Sequence, residues 1–190
     1  VAEIESDPTA KLLAEALPAD ASVVIVGWPE QAVGALRRRG DLEVLIVDVD
    51  GEADEAVRQL QRMDVFATAV SARNAASAVA VADLVLLDCF GLGPDSLLAP
   101  AGSLAAAAVA QHLGVEVWAL AGVGRLMPAS MFDALLTRWS GSVEPLSATA
   151  EVVPHELVTH CAGVAGVGTV SDSLTATDCP VAPELFRLVG

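Results

Sequence analysis

Asp48, Asp50 and Asp88 each follow an apolar run, and Asp at that position has two uses. Converging carboxylates bind a divalent cation or move protons. A single carboxylate at a strand end caps the next turn or helix, which is its commoner use and the one favoured here. Cys89 follows Asp88 directly. A thiol acts as a nucleophile only as thiolate, and acidic neighbours oppose that form, so a packed thiol is expected. His155, His160 and Cys161 have the residue types of a metal site. If 154–161 is helical, five residues turn the two histidines about 140° apart, which keeps them off one face; no metal is expected. Gly91-x-Gly93 begins a phosphate-binding fingerprint, but Ser96 stands where its third glycine belongs. No Walker lysine is present, so neither a dinucleotide nor any other cofactor is implied.

These residues are positioned by alternating elements. The run SVVIV at 22–26 reads as a buried strand, and 30–39 as a helix through Ala32, Val33 and Leu36, stopped by Gly40. EVLIV at 43–47 is a second strand. A helix over 52–63 places Ala53, Ala56, Val57 and Leu60 on one face. Strand 65–70, a short helix over 73–80 and strand 83–87 follow. A Gly/Pro loop is expected over 91–99, then an alanine-rich helix over 102–112 and a strand over 115–120. A helix over 8–17 precedes the first strand. Later segments predict helices over 128–139 and 154–161, and a loop over 164–177 with at most one edge strand.

Continuous apolar strands alternating with helices predict a doubly wound, mainly parallel, Rossmann-like α/β sheet with helices on both faces. The organisation expected is an N-terminal helical segment over 1–20 packed on a single domain over 21–190. With strand order 3-2-1-4-5, a ligand crevice opens between the first and fourth strands. Its loops carry Gly27, Trp28, Asp48, Asp50, Asp88, Cys89, Phe90, Asp95, Gly102 and Ser103.

Composition removes several functions. The 190 residues hold 25 Asp+Glu against 10 Lys+Arg, a net charge of -15, and Lys11 is the one lysine. Nucleic acid and anionic membranes are therefore not expected partners. The apolar runs are broken by Asp, Gly or Pro well short of the roughly 20 residues that span a bilayer. No basic stretch leads an apolar one, so no secretory leader is expected. Cys89, Cys161 and Cys179 are too few for a disulfide framework, and a cytoplasmic setting fits them.

The stretch ADLVLLDCFGLGPDSLLAPAGSLAAAAVAQHLGVEVWAL at 82–120 resembles the α/β domain of the translation initiation factor 2B regulatory subunits and of methylthioribose-1-phosphate and ribose-1,5-bisphosphate isomerases. ASVVIVGWPEQAVGAL at 21–36 is similar to that family's first strand and helix. EVVPHELVTHCAG at 151–163 is similar to its VPPELIT segment. Against the family pattern, Trp28 stands at the isomerase cysteine, Phe90 at the isomerase aspartate and Ala99-Pro100 at an Asn-Lys pair. Asp50 falls near an arginine, while Gly102-Ser103 keeps a Gly-Thr.

The resemblance thus implies a degenerate initiation factor 2B-like member without catalytic residues, acting in binding, regulation or assembly, with a homodimer as the natural form. One alternative is a small-molecule or nucleotide sensor using Ser103 and its helix N-terminus for an anion. Another is an active aldose-phosphate isomerase with relocated groups at Asp88, Cys89 and Asp95. A dimer face is expected on 128–139 and 154–161, through Leu135, Leu136, Trp139, Leu157 and Val158.

Overall fold

A computed structural model describes residues 7–141 and 144–175. Its centre is a seven-stranded sheet in the order β10-β9-β7-β4-β1-β2-β3. The strands are β1 (Ser22–Val26), β2 (Glu43–Asp48), β3 (Phe66–Ser71), β4 (Leu84–Asp88), β7 (Glu116–Ala121), β9 (His160–Gly163) and β10 (Gly166–Gly168). All neighbours are parallel except β9 and β10, a short antiparallel hairpin. The order among the first five of these strands is the expected one, and the α/β fold is as the apolar alternation predicts.

Alternate residues of each strand feed two separate cores. Val24, Val26, Leu45, Val47, Val85 and Leu87 point to one face, which α4 (Ala75–Val81) and α5 (Ser103–Leu113) cover. Val23, Ile25, Val44, Ile46, Leu84 and Leu86 point to the other, covered by α1 (Thr9–Ala16), α2 (Glu30–Leu36) and α3 (Ala53–Gln61). Each such side chain contributes about 1.5–3 kcal/mol on burial. Both strand faces are dry, which is why these strands read as unbroken apolar runs. The chain winds from β1 to β3 with its helices on one face and returns to β4 with its helices on the other. That reversal parts the loops after β1 and β4.

Three expectations are corrected. The Gly/Pro stretch over 91–99 is β5 (Gly91–Leu92) and most of β6 (Ser96–Pro100), joined by a tight turn through Gly93 and Pro94. Glycine and proline mark the turn only, and the flanks are too short to show a strand period. β6 also pairs with β8 (Ala150–Pro154), matching Leu97 to Val153 and Leu98 to Val152, so a three-stranded antiparallel sheet stands beside the main one. Second, 154–161 is no helix. Pro154 is extended, His155–Leu157 makes one 3-10 turn, and the chain then enters β9. A proline that fits a first helical turn fits a strand end equally well, and the β-branched residues around it favour the strand. His155 and His160 therefore sit on different elements. Third, Gly40 does not end α2 in a left-handed conformation. The helix stops at Leu36, and tight bonds from the Arg38 and Arg39 amides to the Ala35 and Leu36 carbonyls close its last turn.

The expected loop from 164 holds β10 and α7 (Val170–Thr175); residues 176 and 177, like Cys179, lie outside the described residues. α6 (Ala129–Ser140) lies on the small sheet, where Phe132 is fully buried and Leu135, Leu136 and Trp139 are half-buried. Leu157 and Val158 pack instead into the α4–α5 core, so the late apolar residues do not form one continuous face. Among the described residues no helix is long and apolar enough to cross a membrane.

Candidate functional site

β1 ends against Gly27, whose φ of +66° turns the chain away from the sheet while its amide still reaches the Val47 carbonyl at 3.1 Å. Trp28 and Pro29 follow and lead into α2. On the neighbouring strand, Asp48 Oδ1 accepts the Gly51 and Ala53 amides at 2.8 and 3.4 Å, and Asp50 Oδ1 accepts the Glu52 amide at 3.2 Å. Asp48 is thus a cap for the turn into α3, the ordinary use of an aspartate there. Gly102, with φ at +93°, brings the backbone so close to β2 that an added Cβ would stand 3.0 Å from Val49.

Between these loops lies an open crevice of about 610 Å³. Trp28, Pro29, Val49 and Phe90 supply its large apolar walls, and Asp50, Glu52 and Asp88 its carboxylates. Pro100, Ala101 and, from the loop before β8, Ser147, Ala148 and Thr149 complete its rim. Gly27 also lines it. Trp28 is half-buried with α3 beneath it, and Phe90 is about 40% exposed. Phe90 is held by its backbone: its amide donates to the Leu98 carbonyl at 2.7 Å, and Arg125 Nη1 donates to its carbonyl at 3.3 Å.

Asp88 Oδ1 accepts the Cys89 amide at 3.0 Å. Burial pushes its carboxyl above the usual range, opposed by Arg125 and the Cys89 amide, with Glu30 adding to the rise. Cys89 is turned away from the crevice. It is fully buried, and its Sγ donates to the Leu120 carbonyl at 3.1 Å. Burial first, then the nearby Cys161 and Asp88, push this thiol well up against the opposing effect of Arg125. Such a thiol is not a nucleophile. Asp95 belongs to the β5–β6 turn, where its carbonyl accepts the His155 amide at 3.0 Å. Asp88, Cys89 and Asp95 therefore do not converge on one substrate position.

The head of α5 is already occupied. Glu151 Oε1, reaching in from β8, accepts the Leu104 amide at 2.7 Å. Ser103 beneath it is fully buried. Among the described residues no three His, Cys, Asp or Glu side chains are grouped to hold a metal ion. The rim at 147–149 was invisible in the sequence, because it reaches the crevice only through the pairing of β8 with β6, residues that carry no local pairing signal. Arg125 was missed for the same reason: it follows β7 and meets Phe90 through the fold alone.

At a second place on the sheet's carboxyl edge, the Asp7 carboxylate accepts the Thr9 amide at 2.9 Å, Gln31 Nε2 at 2.8 Å and the Val123 amide at 2.9 Å. Gly122 makes room for it, since a Cβ there would overlap Asp7 Oδ2. Burial alone would raise this carboxyl, but the bonds from Thr9, Val123 and Gln31 together hold it below its ordinary value.

No family model matches the sequence, and no curated protein matches it. Solved structures do share the fold. eIF2B beta from Chaetomium thermophilum is 16% identical with a TM-score of 0.68, over 85% of this chain and 51% of that one. The translation initiation factor eIF-2B of Pyrococcus horikoshii OT3 is 12% identical with a TM-score of 0.72, over 87% and 64%. The tetrameric eIF2B-beta2-delta2 complex of C. thermophilum is 16% identical to this chain with a TM-score of 0.71, over 88% and 56%. The chain thus spans between 51% and 64% of the length of these three. The strand order, the reversal that opens the crevice and the shared topology with these structures give this chain the α/β fold of eIF2B subunits.

Proposed function

We propose that the chain is an eIF2B-like protein that serves in binding and assembly and does not isomerise sugar phosphates. The observation that carries this reading is the crevice lining. It presents Asp50, Glu52 and Asp88, and among the described residues no Lys, Arg or His. At about 4 Å a like charge costs a phosphate roughly 1 kcal/mol in water and several times more at a partly buried site. Aldose–ketose conversion also needs two groups to move protons. Trp28 and Phe90 stand at the positions that the family resemblance gives to cysteine and aspartate, and neither moves a proton. Incubation with methylthioribose-1-phosphate and ribose-1,5-bisphosphate, followed by NMR, should give no ketose. Turnover that disappears in Asp88→Asn would replace this reading with that of an isomerase whose carboxylate has moved two residues.

Self-association is part of the proposal. α6 runs for 12 residues, yet Phe132 is its one fully buried side chain among those described, leaving Leu135 and Leu136 half-exposed above the small sheet. An apolar helix face so thinly covered fits a subunit contact. The eIF2B beta and delta subunits named above form a tetramer. A homodimer closing over α6 is the form we expect, and light scattering at micromolar concentration tests it. The reduced, buried thiols Cys89 and Cys161 fit a cytoplasmic setting.

A further inference from the structure

We propose that the crevice binds a small organic cation, an amine or guanidine carrying an apolar body, in place of a phosphorylated sugar. The inference deepens the preceding reading and rests on it to the extent that the crevice has left phosphate chemistry.

The cavity itself is the first observation. At about 610 Å³ it falls within the range of roughly 300–1,000 Å³ common to small-ligand sites. It also lies at the reversal of strand order, where parallel sheets hold their ligands. The aromatic walls are the second. Trp28 and Phe90 both line it, and the face of an aromatic ring attracts a cation and repels an anion. The carboxylates then fix the sign of the charge. Asp50, Glu52 and Asp88 line the same space. Asp88 Oδ1 is engaged by the Cys89 amide, and no described residue donates a hydrogen bond to Oδ2. Rings and carboxylates thus favour the same ligand charge. Val49 and Pro29 give its apolar body a surface to cover.

Arg125 is the cation closest to this arrangement in effect. It favours the charged form of Asp88, but its Nη1 is committed to the Phe90 carbonyl at 3.3 Å, and it is not part of the lining. Glu30 acts on Asp88 in the opposite sense. At the N-terminus of α5, which follows the lining residues Pro100 and Ala101, the Leu104 amide already donates to Glu151. A phosphate would meet three carboxylates and two aromatic side chains, with no cationic side chain among the described lining residues.

The test uses the whole chain labelled with ¹⁵N and three probes of one shape: 2-phenylethylammonium, neutral 2-phenylethanol and anionic 3-phenylpropionate. The Trp28 indole N–H, identified by its loss in Trp28→Phe, reports on the crevice. The ammonium should shift it saturably, the alcohol should bind about tenfold more weakly and the carboxylate not at all at about 10 mM. Asp88→Asn should weaken the ammonium about tenfold, the weight of one charge-assisted contact. If that variant does not keep the native spectrum, Glu52→Gln on the exposed rim should reduce binding in the same direction. Equal binding of the alcohol or the carboxylate, or no shift with any probe, overturns the inference. Neither result touches the absence of isomerase activity, whereas ketose formation from a sugar phosphate would sink the underlying reading instead.

Discussion

Glu151 and Leu104 are 47 residues apart in sequence, and the carboxylate of the first accepts the backbone N–H of the second at 2.7 Å. A strand of the small sheet therefore caps the helix that covers the main one. An anion at a helix N-terminus satisfies an orphan donor and complements the dipole. Replacing Glu151 by Ala should destabilise the protein by about 1 kcal/mol. Glu151→Gln keeps an acceptor and should cost less than half of that. Urea denaturation of the two variants checks the order.

The carboxylate of Asp7 makes a pH-dependent contribution. Its folded-state value lies below the ordinary one, so the unfolded chain takes up its proton first as pH falls. The stability it adds is complete above the unfolded value of about 4 and disappears as pH drops through the folded value. Asp7→Asn should lose about 1–2 kcal/mol at pH 7, and the difference from wild type should shrink as pH falls through the folded value. Melting curves across that interval give the test.

Gly122 and Asp7 should be coupled. A Cβ at 122 collides with Asp7 Oδ2 and stands 2.9 Å from Gln31 Nε2. Gly122→Ala alone should cost about 1–3 kcal/mol. In an Asp7→Ala background most of the obstruction is gone, and the same change should cost less by at least about 1 kcal/mol. Additivity of the two substitutions would mean that the clasp is not what the glycine accommodates.

Gly93→Ala should loosen α6. The added Cβ would overlap the ring of Phe132, the helix's anchor on the small sheet. A forced shift of a buried ring costs about 1–3 kcal/mol. Limited proteolysis should then cut within 129–140 at protease concentrations that spare the wild type.

Cys89 should be inert in the native state. Its burial and its bond to the Leu120 carbonyl keep it a thiol. Labelling by a thiol reagent at pH 8, resolved by peptide mass mapping, should find Cys89 protected until the protein is unfolded. Rapid native labelling would contradict the packing described.

The sequence made β1, β2, β4 and β7 legible because each holds a run of four or five apolar residues buried on both faces, a pattern that needs no partner to be seen; β3, broken by Thr68 and largely exposed, was legible only from its place in the alternation. β5, β6 and β8 were not legible. Each is short, and its pairing partners are remote: Leu97 meets Val153, and nothing near either residue announces the other. The site was legible to the extent that it hangs on the main strands. Trp28, Asp50, Asp88 and Phe90 line the crevice as the strand order implies. Asp95 does not, since its place depends on the small sheet. Cys89 adjoins Asp88 in sequence but points to the opposite side of its strand end, as alternation requires. The rim at Ser147 and Thr149 and the capping by Glu151 both rest on β8, and were hidden with it.

The clasp of Asp7 on Val123 closes a separation of 116 residues. During synthesis the carboxylate emerges early and its partner late. At roughly 5–20 residues per second, some 6–23 s pass before Val123 has even been made. Over that interval Gln31 alone of the distant donors is available, and α1 can dock on α2 but cannot be locked to the edge of the sheet. The beginning of the described chain is therefore one of its last parts to become fixed. Ribosome-bound chains ending before Gly122 should leave Asp7 and its neighbours open to a protease that the finished protein resists.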